Sequence, residues 1–101
     1  MNWEEISFGI ITASKSASTL AFEAIGEAKK NNIEKANEIL KNAHSELDMA
    51  RKFHQDVVAK EANNERVEYN VLYIHAEDQI SNTETILLLA NEIINLWETK
   101  K

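Results

Sequence analysis

Apolar positions recur along this chain at spacings of three and four with few breaks. Ile33, Ala36, Leu40, Ala43, Leu47, Ala50, His54 and Val57 make a heptad-like seam on one helical face. Upstream, Ile6, Ile10, Ala13, Ala17, Leu20 and Ala24 make a similar face from smaller side chains, which predicts close approach by a neighbouring helix. Two polar stretches interrupt the pattern, Lys30-Asn31-Asn32 and residues 62–68. Both contain paired asparagines, which favour helix stops and caps. The pattern predicts three helices, over residues 2–30, 33–61 and 69–98, each about 40 Å long at 1.5 Å per residue. Short connections make successive helices antiparallel neighbours. The expected fold is all-α, an antiparallel three-helix bundle forming a single domain over residues 1–101.

The third helix carries more apolar surface than one bundle needs. One stripe runs Leu72, Ala76, Ile80, Thr83, Leu87, Ala90, Ile94, Trp97; a second runs Ile86, Leu89, Ile93, Leu96 on a neighbouring face. A helix apolar on more than one face is buried on more than one face. The simplest account is that this helix packs inside its own subunit and also against copies of itself, which adds to the modest core of a short chain. Toward the N-terminus the second stripe turns polar through Thr85, Asn82 and Asp78. On a symmetry axis Asp78 meets its own copies, and like carboxylates that close require a cation or shared protons. Otherwise the seam ends at Leu89 and Asp78 faces water.

Composition narrows the picture. The 101 residues include no proline and only two glycines, which fits a helical chain with few turns. No cysteine is present, which excludes disulfides, zinc–thiolate sites and thiol catalysis. The acidic start, Met1-Asn2-Trp3-Glu4-Glu5, lacks the basic region of a signal peptide, and no apolar run reaches the roughly 20 residues of a membrane span. A cytoplasmic protein is expected, with no direct membrane insertion. The net charge of -6, with 17 acidic against 11 basic residues, argues against nucleic acid and favours partners with a basic patch.

Among the three histidines, His54 lies on the apolar seam and reads as structural, and His44 lies beside it. His75 stands near the start of the third helix, with Asp78 and Gln79 on the same side and Glu77 rotated away by about 200°. It has several possible roles: metal ligand, general base, covalent nucleophile, or a surface histidine without a task. The opening turns of a helix suit an anionic adduct, because free N–H groups and the dipole favour negative charge.

Val71-Leu72-Tyr73-Ile74-His75-Ala76-Glu77-Asp78-Gln79-Ile80, with Asn82-Thr83 beyond, resembles the active segment of the lactose/cellobiose-type enzyme IIA of the bacterial sugar phosphotransferase system. The likeness covers the whole chain. Gly9-Ile10-Ile11 and residues 17–24 are similar to that family's first helix, and Glu92-Ile93-Ile94-Asn95-Leu96 to its ending. The chain departs from the pattern at Lys15, where glycine is usual, at Ser18 in place of arginine, and at Arg51 in place of histidine. Glu77 and Gln79 stand where glutamine and histidine are frequent.

The resemblance implies a homotrimer whose nine helices form one bundle. It implies that His75 accepts a phosphoryl group from the phosphocarrier protein HPr and passes it to a cysteine of the cognate enzyme IIB. It also implies that Asp78 from three subunits meets at the trimer axis and can hold a divalent cation, usually Mg2+. Phosphoryl transfer asks mainly for in-line positioning and charge stabilisation. The ring nitrogen of His75 that does not react needs a hydrogen-bond partner, for which Glu77, Gln79 or a neighbouring subunit can serve. The alternative reading is a helical oligomer that binds or regulates partners without phosphotransfer.

Overall fold

Helix-stop chemistry at two asparagine pairs divides the chain. A computed structural model describes residues 2–67 and 69–100, and among them it forms α1 (Trp3–Lys29), α2 (Ile33–Ala62) and α3 (Val71–Thr99), with no strand. Asn31 and Asn64 both adopt the left-handed backbone conformation, with φ of 66° and 61°. After α1, the N–H groups of Asn31 and Asn32 return to the carbonyls of Ala28 and Glu27, both at 2.9 Å. After α2, those of Asn64 and Glu65 return to Glu61 and Lys60, both at 3.0 Å. The two helices thus end in the same double-bonded cap, which satisfies their last carbonyls and turns the chain sharply.

The third helix begins two residues later than its sequence pattern suggests. The Asn70 side chain accepts from the Tyr73 N–H at 2.8 Å, so Asn70 is the cap and Tyr69 lies outside the helix. Asn2 caps α1 in the same way through Glu5 N–H at 3.0 Å.

Helix α2 runs against both others, and α1 and α3 run parallel. His54 and Arg51 of α2 meet Glu77 and Glu84 of α3 in reversed order, whereas Trp3 meets Tyr73 and Ser14 meets Thr83 in the same order. The expected seams supply the core. On α2, Ile33, Ala36, Leu40, Ala43, Leu47, Ala50 and Val57 are all buried. On α1 the small side chains Ala17, Ala21, Ala24 and Ala28 are fully enclosed, while Leu20 is only half-buried. A Cβ on Gly9 would lie 2.7 Å from the Phe53 ring, another sign of how closely α1 and α2 approach. Along α3, Ala76, Ile80, Thr83, Leu87, Ala90 and Ile94 are buried as their spacing predicts.

Tyr73 joins that core and is the largest fully buried side chain. Its ring stands edge-on to Trp3, with centroids 5.4 Å apart, and its hydroxyl donates to Glu77 Oε1. Among the described residues, no helix is long and apolar enough to cross a membrane.

Two tests follow from these contacts. Asn31→Val forces a β-branched residue into the left-handed region and should cost about 1–2 kcal/mol, whereas Asn31→Gly should match or exceed wild type. Chemical denaturation at one fixed protein concentration measures both. Burial, and then the bond to Glu77, push the Tyr73 phenol well above its ordinary 10.0. The folded chain keeps this proton when the unfolded chain has lost it, so this stability is complete below pH 10 and falls as pH rises further. The loss between pH 10 and 12 should be visibly shallower in Tyr73→Phe.

Candidate functional site

The polar residues of α3's opening turns fall on two sides of the helix. Asn70 fixes the first turn at Val71, which makes His75 the fifth helical residue. No acidic residue occupies that first turn, so its free N–H groups and the positive dipole end are not neutralised by a carboxylate on the helix. His75 is exposed, between exposed Ile74 and buried Ala76. Asp78 is exposed one turn on, and Gln79 is half-buried.

Asp78 heads a line of outward-facing positions. Asn82, Thr85, Leu89 and Leu96 are exposed along it, with Ile86 and Ile93 half-buried at its edge. The exposure of Leu89 and Leu96, 57% and 62%, is high for leucine in a helix core position. In one chain the second apolar stripe is therefore left uncovered, and Asp78 faces outward with it. Among the described residues, no group of three or more histidine, aspartate or glutamate side chains is gathered closely enough to hold a metal within one chain.

Glu77 takes the opposite side and corrects one expectation. Two residues beyond His75 is a rotation of about 200°, which turns Glu77 toward α2. Its Oε1 accepts from the Tyr73 hydroxyl and lies 2.7 Å from Nδ1 of His54. Among the described residues no hydrogen bond joins His75 to Glu77 or to Gln79, so neither orients the His75 ring within the chain. His54, read from the sequence as a structural histidine, is half-buried and tied to the Glu77 carboxylate. His44 is exposed on α2.

Two of the positions that depart from the family pattern, Arg51 and Ser18, are engaged in local contacts. Arg51 reaches Asp48 and Glu84, both at 2.9 Å, and the Glu84 bond raises its already high pKa. Arg51, His54, Glu77 and Glu84 line a shallow groove between α2 and α3. The Ser18 hydroxyl pairs with that of Thr83 at 3.1 Å, and Lys15 is exposed. Tyr73 was not singled out from the sequence as a site residue. Its spacing of four from Glu77, a same-face pair on a helix, was the available signal.

Comparison with known proteins fits this geometry. A family profile described as the lactose/cellobiose-specific IIA subunit of the phosphotransferase system matches residues 5–98. The lichenan-specific phosphotransferase enzyme IIA component of Bacillus subtilis is 36% identical over 95 residues, covering 94% of this chain and 86% of that protein. The oligo-beta-mannoside-specific EIIA component of the same organism is 28% identical over 97 residues, covering 96% and 88%. The crystal structure of the cellobiose-specific enzyme IIA from Bacillus anthracis superposes with a TM-score of 0.93 at 33% identity, covering 98% of this chain and 91% of that one. These matches span nearly the full length of the chain: it belongs to the lactose/cellobiose-specific IIA family of the phosphotransferase system, and it is a phosphotransferase component.

Proposed function

We propose that His75 is the phosphoryl carrier of this IIA component, taking the group from phosphorylated HPr and giving it to a cysteine of the cognate enzyme IIB. The observation that carries the reading is His75 itself: an exposed imidazole, without a hydrogen-bond partner among the described residues, in the segment that resembles the family's active segment. A lone pair of the neutral ring attacks phosphorus as the bond to the donor breaks. The ring's other nitrogen keeps its proton. In the second step a thiolate of the partner attacks the same phosphorus and the nitrogen–phosphorus bond breaks. The chain's contribution is a rigid helix that sets the line of attack, and an uncompensated helix N-terminus that favours the anionic group. Exposed Val71 and Ile74 beside the histidine suit a flat docking face.

The uncovered stripe of α3 supports a homotrimer. Three copies of Leu89, Ile93 and Leu96 would bury one another along a common axis and form a nine-helix bundle. The same arrangement brings three Asp78 carboxylates together above the apolar layers. Since the described residues of one chain gather no cluster of ligands, a cation there would be shared, with one Asp78 from each copy. A divalent ion, Mg2+ by the chemistry of oxygen ligands, supplies charge neutralisation at the axis.

Incubation with phosphorylated HPr should give wild type an acid-labile, base-stable label that His75→Ala does not acquire; an unlabelled wild type would rule out the carrier role. Asp78→Leu replaces clustered charge with apolar packing and should keep or raise trimer stability. Sedimentation across a dilution series measures this, and dissociation of Asp78→Leu under conditions where wild type stays assembled would overturn the axial placement.

A further inference from the structure

We infer that His54 of α2 is a positioning residue for phosphoryl transfer at His75, holding the opening turns of α3 in place through Glu77 and Tyr73. This rests on the carrier reading above and adds a residue from another helix to it.

Within one chain those turns have little else to hold them. Of residues 71–76 only Tyr73 and Ala76 are buried, and Val71 is 84% exposed. Helices α2 and α3 touch each other less than either touches α1. Helix ends with few buried contacts open first. Against this, one carboxylate oxygen of Glu77 gathers two donors. One is the Tyr73 hydroxyl, a turn back on the same helix, whose ring is seated on Trp3 of α1. The other is Nδ1 of His54, 2.7 Å away on α2. All three helices therefore meet at this level through a single side chain.

The chemistry fixes the roles. An ionised carboxylate only accepts, so His54 carries its proton on Nδ1 whether the ring is neutral or charged. Arg51, a turn away on α2, is held by Glu84 and Asp48 at 2.9 Å each, which leaves Glu77 to His54. Since Glu77 and His75 lie on opposite sides of α3, His54 acts by fixing the helix and never touches the reacting ring. Such bracing matters for in-line transfer between docked proteins, where a shift near 1 Å costs up to about 100-fold in rate.

The test compares wild type, His54→Ala and His54→Asn, whose amide nitrogen can donate from near the place of Nδ1. Single-turnover transfer from phosphorylated HPr is followed over a range of donor concentrations. His54→Ala should lose about tenfold in the saturated rate with its half-saturation concentration unchanged, and His54→Asn should recover most of the loss. Amide hydrogen exchange at residues 75–78 should quicken in His54→Ala while residues 87–94 stay protected. A wild-type saturated rate in His54→Ala, a change confined to half-saturation, or failure of His54→Asn to recover the rate would each overturn the inference. Should wild type take no phosphoryl group, the carrier reading fails by itself. Unchanged exchange at residues 75–78 in His54→Ala would then refute the clamp separately.

Discussion

Close contact along α1 sets the geometry of the whole bundle. Ala17, Ala21, Ala24 and Ala28 are fully enclosed, and the two other helices lie against their backbone. The contact also fixes register. Thr83 of α3 donates to the Ser14 carbonyl at 3.3 Å and pairs with the Ser18 hydroxyl, so α3 cannot slide past α1 without breaking a buried polar contact. A slip of one turn would move His75 by about 5 Å relative to the bundle. The place of the candidate carrier at the end of the molecule is therefore decided near the middle of α3, eight residues away.

A bundle 54 Å long and only 20 by 16 Å across has one thin core. It encloses a single stripe from each helix, and α3 has a second. Leaving Leu88, Leu89 and Leu96 more than half exposed wastes burial worth roughly 25 cal/mol per Å2 of apolar surface. Among the described residues, the uncovered apolar face and the histidine without a hydrogen-bond partner belong to the same helix.

The departures from the family pattern also become intelligible. Ser18 uses its hydroxyl to pin Thr83. Arg51 bridges α2 to Glu84, and Glu77 turns away from the His75 side of α3 to join His54. Charge at Arg51 and Glu77 works between α2 and α3, which otherwise touch each other less than either touches α1.

Hydrophobic spacing determined the helices, the stripe each one buries and the surplus stripe on α3, because helical periodicity writes burial directly into sequence, and the short connections determined their antiparallel succession. Paired asparagines marked both stops, since the left-handed conformation that ends a helix is tolerated by few other side chains. The His75 segment was legible too, through residue types at helical spacing and their likeness to a family. What the sequence did not contain was contact across helices. The start of α3 at Val71 depended on which asparagine captured the Tyr73 N–H. The half-burial of Leu20 depended on how the other two helices divide the face of α1. The partner of Glu77 depended on α2 bringing His54, 23 residues distant, within hydrogen-bond reach. Local periodicity says which side of a helix a residue occupies; only the packed bundle decides what stands on the other side of the gap.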